Sequence, residues 1–151
     1  ILMQIGVLRS YPNIRGSMFF AAKFMRKNPL GLQQKLLASY YIYPSLPPAN
    51  PRISPVIPDP PLHATLLRSK YSYRLNWNMG ENTKYFVIYN FGKDEMIDLE
   101  NPGNIYKVTS DKQITIDLKK QTILKNRIFV ITSVSQTNTE SQPIKFQVIT
   151  H

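Results

Sequence analysis

Nine carboxylates, two histidines and no cysteine bound the chemistry open to this chain of 151 residues. Four of the acids, Asp94, Glu95, Asp98 and Glu100, share the stretch GKDEMIDLENPGN. A calcium loop would need regularly spaced oxygen ligands around a central glycine. This stretch has neither. It reads as a solvated turn and an edge strand kept from unwanted pairing by its charge. The histidines, His63 and His151, are far apart and have no cysteine beside them, so neither a zinc site nor a Ser–His pair is signalled. Six scattered glycines form no phosphate loop. No metal and no cofactor is expected. Tyr40, Tyr41, Tyr43, Tyr71 and Tyr73 could form a platform for a sugar ring. Aromatics at helical or strand spacing more often pack a core or a domain contact.

The charge is uneven. Residues 1–80 hold ten Lys/Arg and one acid, Asp59, whereas residues 81–151 hold nine Lys/Arg and eight acids. A basic half can face nucleic acid, yet no binding motif accompanies it, so no nucleic-acid partner is expected. The excess fits a piece of a larger protein whose acids lie elsewhere. No apolar run approaches the ~20 residues of a membrane helix.

These residues must be positioned by the elements around them. Ile1, Ile5 and Leu8 share a helical face, and Pro12 breaks that helix. Gly16 to Ala22, GSMFFAA, is apolar without alternation, the pattern of a strand buried on both faces. Asn28 and Pro29 read as a helix start. Leu32, Leu36, Leu37, Tyr40 and Tyr41 then make one stripe, and Pro44 ends the helix. From Pro44 to Pro61 the chain is dense in proline, which reads as a stiff extended linker. Seven short strands follow at sandwich spacing, over 62–67, 71–77, 84–91, 105–110, 113–118, 127–135 and 144–150. Tyr73, Leu75, Trp77, Phe86, Ile88, Ile114, Ile116 (or Leu118), Phe129 and Ile131 are the expected core.

Two resemblances cover nearly the whole chain. Leu75-x-Trp77, Phe86 to Tyr89, and the turn Asn138-x-Glu140-Ser141-x-Pro143 resemble a fibronectin type III domain of the kind appended to bacterial carbohydrate enzymes. The usual tyrosine corner is missing, with Arg127 in its place. The first part resembles the last strand and helix of glycoside-hydrolase-family-10-like (β/α)8 barrel proteins. That likeness rests on Gly16-Ser17, Phe19-Phe20, Ala22-Lys23, Asn28-Pro29-Leu30-Gly31, Tyr40-Tyr41 and Tyr43-Pro44. The expected fold is therefore mainly β: a fibronectin type III-like β-sandwich over 59–151, preceded by a helix–strand–helix remnant of a barrel and the linker over 1–58.

The resemblance implies a C-terminal, non-catalytic part of a glycoside hydrolase, with the sandwich bracing or spacing the barrel. Glycoside hydrolysis needs two carboxylates, about 5–5.5 Å apart for retention or roughly 6.5–9.5 Å for inversion. In a barrel they sit at the C-terminal ends of strands. Asp59 is the sole acid of the first half, so no catalytic residue is expected here, and the pair would lie upstream. Phe20 and Lys23, at the end of the expected strand, would touch substrate only in the intact barrel. The implied partners are the upstream barrel of the same parent chain and a carbohydrate. Residues 1–44, cut from a barrel, would dock on the sandwich or on a second copy. The resemblance also implies a secreted, periplasmic or cell-surface bacterial protein. Alternatives are a carbohydrate-binding module, which needs an exposed aromatic row, and a basic nucleic-acid-binding fragment.

Overall fold

The computed structural model describes residues 1–14, 16–18, 22–49, 52–53 and 55–149. By its internal contacts the chain divides into two compact units, Ile1–Tyr43 and Pro44–His151.

The first unit holds three short helices, α1 (Leu2–Arg9), α2 (Ala22–Lys27) and α3 (Leu32–Ser39). The helix expected at the start is α1, and its Ile5 is buried. A 3-10 turn over Pro29–Gly31 leads into α3. Asn28 serves this start from a left-handed backbone, φ 45°, which asparagine tolerates. Its Oδ1 accepts from the Gln33 amide at 2.7 Å. That bond satisfies one of the free N–H groups at the helix entry.

The strand expected over 16–22 is corrected where the structure describes it. Gly16, Ser17 and Met18 have no regular structure, and the chain is helical from Ala22. Residues 19–21 lie outside the described residues. A strand satisfies its backbone only through a neighbouring strand, whereas a helix satisfies itself. Ala22–Lys27, AKFMRK, is rich in good helix formers and takes the local solution.

The second unit is a sandwich of two four-stranded sheets. Its strands are β1 (Leu62–Arg68), β2 (Ser72–Asn78), β3 (Tyr85–Phe91), β4 (Ile105–Thr109), β5 (Gln113–Asp117), β6 (Ile128–Val134), β7 (Ile144–Lys145) and β8 (Gln147–Ile149). One sheet runs β5-β2-β1-β8 and the other β4-β3-β6-β7. Neighbours are antiparallel except β1 and β8, which are parallel. The last expected strand is thus two. It changes sheets at Phe146, which is buried and donates its amide to the Phe129 carbonyl.

The inner faces meet in a cluster containing every expected core residue, Ile116 and Leu118 both among them, with Ala64, Leu66, Leu124 and Phe146 added. Edge-on aromatic contacts tie the two sheets together, Trp77 against Phe86 at 5.6 Å and Tyr73 against Phe129 at 6.3 Å. Where a tyrosine corner was missing from the sequence, Arg127 makes a different tie. Its Nε donates to Asn90 Oδ1 at 3.0 Å, and its terminal nitrogen to the Asn90 carbonyl at 3.3 Å. The start of β6 is thereby held to the end of β3.

A second cluster lies on the outer face of the β4-β3-β6-β7 sheet. Val87, Tyr89, Phe91, Val130 and Val134 are buried there, with Leu46, Ile97, Leu99 and Ile105 packed against them. Ile97 and Leu99 come from the acidic loop. Leu46 comes from the proline-dense segment.

Candidate functional site

The proline-dense segment is fastened to the sandwich at successive points. Leu46 packs on the outer cluster. The Pro48 carbonyl accepts from Asn138 Nδ2 at 3.3 Å. The Val56 amide donates to Thr137 Oγ1 at 3.0 Å. Asp59 then exchanges two hydrogen bonds with Glu81, amide to carbonyl at 3.1 Å and Oδ2 from the Glu81 amide at 3.3 Å. Proline pre-sets φ, so an extended segment of this kind loses little further entropy when it is laid along a surface.

Beneath the outer face sits one carboxylate. Glu140 Oε1 accepts from the Tyr89 hydroxyl at 2.6 Å and from the Thr132 hydroxyl. The Tyr85 hydroxyl is buried with no hydrogen-bond partner among the described residues. Burial, reinforced by the nearby Glu140 charge, raises the ionisation of Tyr85 above the usual phenol range. Tyr89 is raised far above it, first by burial and then by its bond to Glu140. Both phenols stay protonated, and the Tyr89 hydroxyl is thereby held as the donor to Glu140, which suits a structural network.

The expected site residues fall as follows. Phe20 lies outside the described residues. Lys23 is exposed on α2. The acidic loop is held by its own bonds: Glu95 Oε2 accepts from the Gly92 amide at 2.6 Å, and Asp98 Oδ1 from the Glu100 amide at 3.0 Å. Among the described residues no group of three metal-ligating side chains occurs. Within each unit Tyr40, Tyr41, Tyr71 and Tyr73 have their own partners. Arg9 stacks over the rings of Tyr40 and Tyr41 at 5.1 and 5.4 Å and donates to the Tyr40 carbonyl. Tyr71 lies under the ammonium groups of Lys119 and Lys70, and Tyr73 is in the core.

A cleft that sequence reasoning missed opens where β2 passes to β3 and β6 to β7. It has a volume of about 400 Å³. Val56 and Met79 supply its apolar lining, and Asn82, Thr83, Gln136 and Thr137 its polar lining, with Gly80 between. No motif announces it, because its residues come from three separate segments.

The strand order decides the fold type. In an immunoglobulin constant domain the fourth strand completes the sheet of the first, second and fifth. Here the fourth, β4, pairs with β3 instead. The sandwich is fibronectin type III-like. Similar solved structures include FN3tt, at 16% identity over 64% of this chain and 97% of that one, with a TM-score of 0.47. An Fn3-like protein from Clostridium thermocellum matches at 12% identity over 62% and 96%, with a TM-score of 0.42. A beta-1,2-glucanase from Parabacteroides distasonis matches at 17% identity over 69% of this chain and 13% of its own, with a TM-score of 0.43. The fold assignment of this fibronectin type III-like sandwich rests on its own strand order and register. No family model and no curated protein matches the chain. Among the described residues no helix is long and apolar enough to cross a membrane.

Proposed function

We propose that this chain is a non-catalytic accessory part of a carbohydrate-active protein, with the sandwich bracing a folded catalytic body. One observation carries the reading: the helical unit leaves its apolar side chains uncovered. Ile5 and Leu36 are its buried hydrophobics among the described residues, while Met3, Met18 and Leu30 are 80, 98 and 91% exposed. Three short helices with so small a core do not stabilise themselves. In α1 the side chains of Ile5 and Met3 point to different sides, and Val7 is exposed as well. A helix apolar on several sides belongs inside a protein rather than flat on a membrane. The unit carries six Lys/Arg and no acid, so the covering surface is expected to be acidic.

The fastened proline segment supports the bracing role. Whatever holds the helices is joined to the sandwich through chain laid along it, rather than through a loose tether. The covering body proposed is the (β/α)8 barrel of a glycoside-hydrolase-family-10-like protein, bacterial and exported, which would supply the catalytic carboxylates. Phe20 and Lys23 would meet substrate only within it.

Binding of a fluorescent apolar dye tests the reading on the chain as it stands. Strong binding that falls in Met3→Ser and Phe24→Ser variants, or self-association relieved by them, is expected. A monomer that binds no dye would overturn it. In the full-length parent, removal of 59–151 is expected to lower the melting temperature more than it alters specificity. An unchanged melting temperature would count against bracing.

A further inference from the structure

The cleft at the β2–β3 and β6–β7 end is lined by residues of the second unit and lies apart from its inner core. We infer that it is a binding site for an uncharged, hydroxyl-bearing ligand, of which a neutral sugar residue is the matching class.

Three features carry this. The first is construction. The cleft is built from Val56, from the loop at Met79 to Thr83, and from Gln136 and Thr137. These segments are locked together before any ligand arrives. Thr137 Oγ1 takes the Val56 amide and lies 2.9 Å from Ser135 Oγ and 3.1 Å from Thr139 Oγ1. Asp59 and Glu81 clamp the other side. Pre-organisation of this kind lowers the ordering cost of binding.

The second feature is chemistry. Among the described residues no charged side chain lines the cleft. Val56 and Met79 offer an apolar patch. The side-chain amides of Asn82 and Gln136 form no hydrogen bond with the described residues, leaving each with a donor and an acceptor to offer. A pyranose presents the complement, with one C–H face and a rim of hydroxyls that both donate and accept. The volume, about 400 Å³, falls at the small end of the roughly 300–1,000 Å³ range of ligand pockets.

The third feature is position. The cleft lies among loops at the end of the sandwich, where variable immunoglobulin domains bind their ligands. A peptide docking by strand addition needs an open sheet edge, which the cleft does not offer. Peptide docking by strand addition is therefore disfavoured here, and the uncharged amide and hydroxyl lining is what favours a sugar.

The test is an amide-resolved NMR titration of the whole chain. The probes are neutral gluco-, xylo- and manno-oligosaccharides, beside an uncharged peptide and an oligosaccharide of uronic acids. At millimolar concentration at least one neutral oligosaccharide is expected to shift Met79, Gly80, Asn82, Thr83 and Thr137 together. Gln136→Ala and Met79→Ala are each expected to weaken that binding roughly five- to tenfold. Both side chains line an open loop cleft, so neither variant should move the melting temperature. The inference is overturned by shifts confined to other residues, by the peptide or the uronic-acid probe binding here more tightly, by unchanged affinity in both variants, or by no shift with any neutral probe. The bracing reading stands on the helical unit and survives any of these results.

Discussion

The Tyr89 hydroxyl donates a 2.6 Å hydrogen bond to Glu140, joining the outer face of β3 to the turn that follows β6. Thr132 donates to the same oxygen. Removing one donor leaves a partly buried carboxylate with fewer partners. Tyr89→Phe is expected to cost about 1–2 kcal/mol in denaturant unfolding. A variant as stable as the parent chain would show that the bond adds nothing net.

The same tyrosines set the alkaline limit of the fold. Tyr85, Tyr89 and Tyr106 all ionise above their ordinary value of 10.0 in the folded chain, chiefly because burial disfavours the phenolate. Above that value the unfolded chain has released protons that the folded chain still holds, so stability falls as pH rises. The contribution is complete below about pH 10 and is lost above it. Melting temperatures between pH 9 and 12 should show a steep alkaline limb, flattened in Tyr89→Phe. A profile identical in the variant would contradict this assignment.

Leu46 fastens the proline segment to the outer cluster. Leu46→Ser is expected to destabilise by about 1–2 kcal/mol, from the apolar area returned to water. It should also expose the segment to proteases before the sandwich unfolds. Equal cleavage rates in the two proteins would mean that the segment is held elsewhere.

Gly80 has no room for a side chain. A Cβ there would lie 2.6 Å from the Cβ of Asp59 and 3.0 Å from the Pro60 carbonyl oxygen. The backbone must shift to admit it, so Gly80→Ala is expected to cost about 1–3 kcal/mol. The amides of Asp59 and Glu81 should lose protection from hydrogen exchange. Unaltered exchange at both would refute the close approach.

Arg127 separates two contributions. Arg127→Ala removes both bonds to Asn90 and is expected to cost about 1–2 kcal/mol. Glu95→Gln removes the 3.9 Å ion pair while its remaining side-chain oxygen can still accept from the Gly92 amide, and should change stability by less than about 0.5 kcal/mol. Thermal melts of the two variants check the ordering, and equal losses would reverse it.

The sandwich was legible because strand alternation reports which face is wet. In β2, Tyr73, Leu75 and Trp77 point inward while Arg74 and Asn78 stay exposed, so period two is visible. The covering of the outer sheet was also written in the residues, though less plainly. β3 and β6, YFVIYNF and IFVITSV, are apolar on both faces, the pattern of strands covered on both sides. That pattern calls for a cover, and the proline segment, expected as a stiff extended linker, supplies part of it through Leu46. The cleft carried no such signal, since its polar and apolar residues are commonplace in loops and gain meaning only when three segments converge.

Composition and periodicity sufficed for the mainly β class, seven of the strand positions and the inner core, because burial on a pleated surface imposes a local pattern. Folding in three dimensions settled the rest. Phe146 sends the last strand from one sheet to the other, Leu46 makes part of the expected stiff linker a cover, and Ala22, the end of the expected strand, opens a helix because the described chain gives it no strand to pair with. Each depends on a partner distant in sequence or on its absence, and pairing energies of that kind leave no local trace.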